Sequence, residues 1–523
     1  MAIEDWLLTR SERANPATVL DDDAADPDAA WSDGNTVRPL IHGATYFREL
    51  HATIERTGPG DTIMFVDWRG DPDQRLTDDP DDTVSAVLCR AAARGVGVYG
   101  LVWRSHLDRF QFSAQENRHL GEEIEAAGGC CLLDMRVRTG GSHHQKFVVV
   151  RHADRPESDV AYLGGIDLCH SRRDDAAHAG DIQSQPMAAV YGPRPPWHDV
   201  HIAIRGPAVA DVETVFRERW DDPQPLSRNP VHRTADRLRA DDTRRPLPPR
   251  APRPDAVGGH SVQLLRTYPR RLGGYPFAPH GERSIARGYI KALRQARHLI
   301  YVEDQYLWSR DVAVQIADAL RANPELHLIA VLPHYPDQDG RVAMPPNLVG
   351  RAAALSVITS AAPGRVGVYG IENAAGTPIY VHAKVCVIDD MWATTGSDNF
   401  NRRSWTHDSE LTAVVWDRTS GPSYAQELRV ALAREHLGIT DTDPHSQPEL
   451  DDAGRTFAAF ADSAAQLEQW YAGGRRGPRP AGQLRPLAQA VIPFRTRVWA
   501  TPLYRVMYDP DGRRPRDRWR NKF

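Results

Sequence analysis

Two stretches decide how this chain is read: "SHHQKFVVVRH", residues 142–152, and "YVHAKVCVIDD", residues 380–390. Each places a histidine two residues before a lysine, His144 with Lys146 and His382 with Lys384, at the head of an apolar run. The chain has 64 basic residues, of which only Lys146, Lys291, Lys384 and Lys522 are lysines. In a sequence that uses arginine nearly everywhere, a retained lysine points to a need for a compact ammonium instead of a planar guanidinium. Half of the lysines fall in this one pattern.

Working outward, the surroundings of the two motifs repeat. "DTIMFVDW" (61–68), "VGVYGLVW" (96–103), "KFVVV" (146–150) and "VAYLGG" (160–165) read as strands, with helices over 83–95 and 206–220. Strands are likewise expected over 298–308, 326–333, 384–390 and 411–417, with helices over 284–296 and 312–323. From Asp67 to His144 is 77 residues, and from Asp304 to His382 is 78. Such a period marks two copies of one unit, and alternating strands and helices mark an α/β fold. The expected architecture is two similar α/β/α lobes, each with a central mixed sheet, and one active site at a pseudo-two-fold interface. The lobes are placed at 37–220 and 258–440. An acidic N-terminal arm (1–36), a Pro/Arg-rich linker (221–257) and a C-terminal helix with a basic tail (441–523) complete the division.

Bulk composition narrows the function classes. A length of 523 residues, 41% hydrophobic and 25% charged, describes an ordinary globular protein. The net charge of −5 disfavours a nucleic-acid partner. Cys89, Cys130, Cys131, Cys169 and Cys386 have no metal-ligand spacing and read as reduced thiols of a cytosolic protein. The first residues carry no secretory h-region, and no apolar run is long enough to cross a bilayer. A cytoplasmic protein, peripheral at the membrane and monomeric, is expected; export without a cleaved signal stays open.

On a strand, residues i and i+2 share a face. His144 and Lys146 therefore point together, as do His382 and Lys384. Two histidines and two lysines meeting in one cleft suit phosphoryl chemistry. The lysines neutralise phosphate oxygens, one neutral imidazole attacks phosphorus, and the other, protonated, serves the leaving oxygen. Downstream, "TTGSDNFNRRSWTHDSE" offers Gly396 and Ser397 for close approach to a ligand, Asn399 as an amide donor, and Glu410 to orient His382. In "LGGIDLCHSRRDD", Gly164 and Gly165 take the glycine–serine places and Asp167 that of Asn399. Gln305 and Tyr306 are expected to line the pocket. "PWHD", with Trp197, His198 and Asp199, reads as a structural corner beside it, and His143 and Gln145 as packing residues.

These motifs resemble the paired H-x-K-x-x-x-x-D motifs of the phospholipase D superfamily, and "PWHDVHIAIRGPAV" (196–209) and "YVEDQYLW" (301–308) resemble its companion segments. The resemblance covers about residues 37–440. It implies a bilobed fold, a phosphohistidine intermediate on His144, His382 as acid and then base, and chemistry without metal or other cofactor. It also implies that Asp174 orients His144. The substrate implied is a phospholipid at a membrane surface, with water or an alcohol as acceptor, giving phosphatidic acid or a transphosphatidylation product. A cardiolipin synthase-like phosphatidyltransferase is the alternative; a nuclease of the same superfamily and an inactive lipid-binding module rank lower. Two positions depart from the pattern. Arg151 stands where aspartate is usual, in a stretch that reads as a rebuilt hairpin. Asp167 stands for asparagine, so only Asn399 is expected to donate to a phosphate oxygen.

Overall fold

The structure, a computed structural model, describes residues 2–20, 26–105, 112–239, 244–340, 344–417, 421–440 and 450–523. In the first half the strands are β1 (Ser32–Ile41), β2 (Thr62–Asp67), β3 (Gly97–Trp103), β4 (Cys130–Asp134), β5 (Phe147–Arg151), β6 (Val160–Gly164), β7 (Trp197–His198) and β8 (Val200–Arg205). Parallel β4, β3 and β2 lead to antiparallel β5, β6, β8 and β1 in that order. The second half contributes β9 (His260–Tyr268), β10 (Glu282–Arg283), β11 (Leu299–Glu303), β12 (His327–Val331), β13 (Val366–Glu372), β14 (Pro378–Val381), β15 (Val385–Ile388), β16 (Trp392–Gly396), β17 (Glu410–Trp416) and β18 (Leu484–Pro486). Its order is parallel β13, β12 and β11, then antiparallel β15, β16, β17 and β9. Strand for strand, the second sheet repeats the order and sense of the first, and β1 also pairs with β9.

The strands read as unbroken apolar runs because both faces of each sheet are covered. β2, β5, β15 and β17 are buried throughout. Helices Gly43–Glu55 and Val84–Ala93 cover the outer face of the first sheet, packing Phe47, Leu50, Val87 and Leu88 against Phe65 and Val148. Helices Ser284–Gln295, Arg310–Ala322 and Met344–Ala361 cover that of the second through Ile285, Ile316 and Leu355. A third core lies between the sheets. It joins Leu101 and Val149 of one half to Ile329 and Val387 of the other, with helices Ala208–Trp220 and Tyr424–Leu437 filling the space.

Residues 2–20 of the expected N-terminal arm are docked on the rest of the protein. Trp6, Leu7 and Leu8 are buried in the second half's core, the Gln263 amide brackets the backbone of Leu8 (3.0 and 2.8 Å), and Arg13 pairs with Glu282 at 3.0 Å. The strand that begins the first sheet starts at Ser32, inside the expected arm. Residues 221–239 and 244–257 also pack closely: Pro230–Arg239 is helical, Arg104 holds Asp236 with two bonds of 2.6 and 2.7 Å, and Arg253 reaches Asp211 at 2.7 Å. Helix Ala453–Ala472 follows, and near the C-terminus Phe523 packs on Trp405. Residues 441–449 of the expected C-terminal unit lie outside the described residues. Among the described residues no helix is long and apolar enough to cross a membrane.

Candidate active site

Both H-x-K stretches are extended segments just ahead of β5 and β15, not parts of those strands. Each is fastened to the opposite half. The His144 amide donates to the Ser409 carbonyl (2.9 Å) and the Ser409 amide to that of Ser142 (3.0 Å). In the same way the His382 amide donates to the His198 carbonyl (2.8 Å), while β14 runs parallel to β7. Each fastening segment then delivers a carboxylate. Glu410, first residue of β17, meets His144 Nδ1 at 2.9 Å; Asp199, just before β8, meets His382 Nδ1 at 2.6 Å. Strands β8 and β17 hold equivalent places in their sheets. Glu410 and Asp199 are thus counterparts.

This corrects the expected pairing. Glu410 orients His144, not His382. Asp174 does not touch His144: its carboxylate accepts from the backbone of Trp197 (2.8 Å), Gly180 (3.1 Å) and Asp175 (3.0 Å), and so shapes the loop before β7. Glu410 is assigned to His382 by its spacing along one half and Asp174 to His144 by the family resemblance, and Asp199 is missed. The signal was an acidic residue at or just before the start of β8 and of β17, in "HDVHIAI" and "DSELTAVV".

With Nδ1 of each ring held by a carboxylate, Nε2 is the ring atom left for a ligand. His144 and His382 line one cleft of about 470 Å³, together with Asp167, Asn399, Trp197, Gln305 and Tyr306. Lys146 and Lys384 are buried beside it. The Lys146 ammonium donates to the His144 carbonyl (2.9 Å) and lies 3.5 Å from Asp167; that of Lys384 donates to the His382 carbonyl and to Gln305 (3.3 Å). Gln305 in turn donates to the Tyr380 hydroxyl at 2.8 Å. Tyr306 stacks on Trp308 with ring centres 3.9 Å apart. Trp197 lies 4.9 Å from the His382 ring and carries the Arg172 guanidinium 4.0 Å above its own. Arg172, which the sequence reading did not single out, also lines the cleft.

Four expected ligand-contacting residues do other work. Gly164, Gly165, Gly396 and Ser397 do not line the cleft. A Cβ on Gly165 would lie 2.1 Å from the Asp199 carboxylate, and one on Gly396 would lie 2.2 Å from the Thr412 hydroxyl. A Cβ on Gly164 would lie 2.6 Å from the Val200 carbonyl. The glycines make room for neighbouring strands and for the carboxylate that holds His382. The Ser397 hydroxyl donates to Glu410 at 2.6 Å, fixing the partner of His144. His143 and Gln145 are buried, and Gln145 donates to the Glu410 carbonyl at 3.1 Å. Asp389, with φ of 52°, accepts from the backbone of Arg297, His298 and Leu299 and pins the start of β11. At the matching place Arg151 closes the β5–β6 hairpin, reaching Asp159 at 3.2 Å and Glu213 at 3.4 Å.

Burial, then Lys146 and Lys384, hold His144 well below the usual imidazole range; burial, then Lys384 and Arg172, do the same to His382. Burial also lowers the Lys384 ammonium to about 8. Burial and the neighbouring Asp408 raise Glu410 to about 8. Burial opposes ionisation of Asp167, but Lys146 and Arg172 overcome it and keep the carboxyl below its ordinary value. Two ammonium groups and the Arg172 guanidinium thus stand beside imidazoles held towards their neutral form, an arrangement suited to receive an anion and attack it.

A family model described as "Phospholipase D" matches residues 63–330, and one described as "Cardiolipin synthase, PLD-like domain" matches residues 289–434. Among curated proteins, a phospholipase D alpha 1 of Cynara cardunculus is 26% identical over 444 residues, covering 65% of this chain and 54% of its own length. A phospholipase D alpha 2 of Arabidopsis thaliana is 26% identical, with 74% of this chain and 63% of its own length covered. This chain thus spans about half to three fifths of the length of these relatives. Among solved structures, a phosphatidylserine synthase of Haemophilus influenzae Rd KW20 superposes with a TM-score of 0.50 at 13% identity, over 76% of this chain and 84% of its own, a likeness of fold.

Proposed function

The chain belongs to the phospholipase D family, and we propose that it cleaves the phosphodiester between phosphatidate and the alcohol headgroup of a glycerophospholipid. The observation that carries this reading is the reciprocal arrangement of the cleft. Each imidazole faces one space, with its Nδ1 held by a carboxylate from the other half and an ammonium beside it.

In the first step His144 Nε2 attacks phosphorus, a P–N bond forms, and the P–O bond to the headgroup breaks. His382 Nε2 gives its proton to the departing oxygen. The anionic diester favours protonation of His382, which the lysines and Arg172 otherwise oppose. In the second step water or an alcohol gives a proton back to His382 Nε2 as its oxygen attacks phosphorus. The P–N bond breaks and His144 is restored. Lys146, Lys384 and the Asn399 amide face the charge that builds on the phosphoryl oxygens. Asp167 only accepts, so it holds Lys146 in place instead of donating to phosphate.

A membrane-borne substrate fits the exposed apolar side chains near the C-terminus. Phe494, Val506, Met507 and Trp519 are 73%, 73%, 62% and 85% exposed among arginines. Arg403, which lines the cleft, donates to the Met507 carbonyl at 3.0 Å, so this stretch borders the cleft. The match to a cardiolipin synthase-like domain favours a second reading in which a lipid alcohol is the acceptor. The test is headgroup release from mixed phospholipid vesicles, with and without a primary alcohol, beside a plasmid digest. Release with a phosphatidyl-alcohol product supports the proposal. Nicked plasmid with untouched vesicles refutes it, and headgroup release with no alcohol product at any concentration refutes the phosphohistidine step.

A further inference from the structure

Behind the catalytic pair lies a second group of histidines that the chemistry does not use. His42, His178, His198 and Glu435 bring one donor atom each to within 4.8 Å of all the others. The three rings are buried, coming from the turn before helix Gly43–Glu55, from the loop after β6, and from β7; Glu435 comes from helix Tyr424–Leu437 of the other half. His42 and His178 hold backbone φ of 67° and 50°. Left-handed backbone is uncommon outside glycine and persists where the surroundings impose it, often at a functional site.

Neutral rings do not close the hydrogen positions. His178 Nδ1 faces the Trp197 carbonyl at 3.2 Å and must carry its hydrogen there, leaving the Nε2 lone pair 3.0 Å from Glu435 Oε1. His198 Nε2 is engaged by Glu303 at 2.6 Å, which leaves its Nδ1 lone pair without a hydrogen-bond partner, 3.4 Å from the same Glu435 oxygen. His42 Nε2 lies 2.8 Å from Glu435 Oε2. Two ring lone pairs thus face one carboxylate, and a carboxylate has nothing to donate. Two extra protons would close the hydrogen positions as two buried imidazolium rings, 5.8 Å apart between centres, beside Asp174, Glu303 and Glu435. One divalent ion replaces both. The outer contacts are those that orient metal-bound imidazoles, a backbone carbonyl on His178 and a carboxylate on His198.

We propose that His42 Nε2, His178 Nε2, His198 Nδ1 and Glu435 bind a zinc ion. Three nitrogens and one oxygen suit tetrahedral zinc, whereas magnesium and calcium take oxygen shells. Four protein ligands leave no open position, so the ion is structural. It ties the two halves together directly behind the acid–base histidine, since the His198 carbonyl receives the His382 amide and the Asp199 carbonyl that of His42 (2.8 and 2.9 Å).

The test is metal content by plasma mass spectrometry after the full chain is loaded with zinc chloride and desalted, together with the visible spectrum of the cobalt-loaded chain. The expected results are about one zinc per chain and the intense bands of tetrahedral cobalt. Thermal unfolding should shift upward with added zinc. His178→Ala and Glu435→Gln should each lose most of the bound metal. Wild-type protein that keeps less than about a tenth of an equivalent, or a cobalt spectrum of the faint octahedral kind, overturns the site. So does full metal content in both variants. Should either variant fail to fold, wild-type stoichiometry and the cobalt spectrum decide alone.

Discussion

Asp199→Asn separates the pairing seen in the structure from the one that chain order suggests. Asp199 is fully buried, and its carboxylate meets His382 Nδ1 at 2.6 Å. Asparagine fills the same volume, so the loss is electrostatic. A hydrogen bond to a charged group contributes about 1.5–3 kcal/mol, and a full charge about 4 Å from the imidazolium contributes up to about 4 kcal/mol at an effective dielectric near 20. Taking about 3–4 kcal/mol from the steps in which His382 is cationic, turnover of a natural headgroup substrate should fall on the order of 10²–10³-fold. The defect should depend on the leaving group. A nitrophenyl diester leaves without a proton, so Asp199→Asn should still release a burst of nitrophenolate and accumulate enzyme labelled on His144. Hydrolysis of the P–N bond of that adduct should then stall. Glu410→Gln should behave oppositely, with slow labelling even by the activated diester, because the misheld ring is the nucleophile. Rapid-quench burst amplitude and intact-protein mass spectrometry read both. A larger loss from Asp174→Asn than from Asp199→Asn, or a slow-labelling Asp199→Asn beside a fast-labelling Glu410→Gln, would refute the crossed assignment.

Lys146→Arg and Lys384→Arg keep the charge but replace a point ammonium with a wide fork in a buried place; each should lower kcat about 100-fold or more, measured on a soluble diester. The Lys384 ammonium is needed as a cation and its pKa is lowered to about 8, so kcat/KM should be full below that pH and decline as pH rises through it. Lys384→Arg should lack this limb in its residual activity; a wild-type profile flat well past pH 8 would count against the role. Replacing Phe494, Met507 and Trp519 together with serine should reduce vesicle binding in a flotation assay and hydrolysis of vesicle lipid several-fold. It should leave a soluble diester unaffected, and equal losses on both substrates would place the effect in the fold.

Much of this was legible in the sequence because two local rules apply to it cleanly. Strands buried on both faces read as apolar runs, so β2, β3, β5, β11, β12 and β17 were found within a few residues. Helix Met344–Ala361 was missed: it opens with Pro345 and Pro346 and carries apolar residues around most of its circumference, which blurs the helical period. The H-x-K pairs were legible from the scarcity of lysine alone. Side chains that act across the interface were not, because sequence distance carries no information about which segment of one half lies against the other. Glu410 was noticed but given the wrong histidine, and Asp199 was passed over as part of a corner. Ser397 and the glycines around it were read as facing the ligand, whereas the space they leave is filled by Asp199 and by neighbouring strands.

The crossing of the two carboxylates follows from how the sheets meet. Each H-x-K segment leaves its own sheet and forms its backbone bonds with the other half, His144 with Ser409 and His382 with His198. The residue after each of those partners, Glu410 or Asp199, stands at or just before the start of β17 or β8 in the opposite half, so its side chain reaches the ring that the backbone has just fixed. Orientation of either imidazole therefore requires both halves in register, and neither half holds a complete catalytic histidine by itself. Within that matched frame the functional differences come from few residues. His144 has Lys146 beside it, with Asp167 holding that ammonium at 3.5 Å. His382 lies against Trp197 under the charge of Arg172, with its carbonyl on Lys384. A frame that treats both rings alike, with unlike neighbours at each, lets one histidine carry the phosphoryl group while the other carries only the proton.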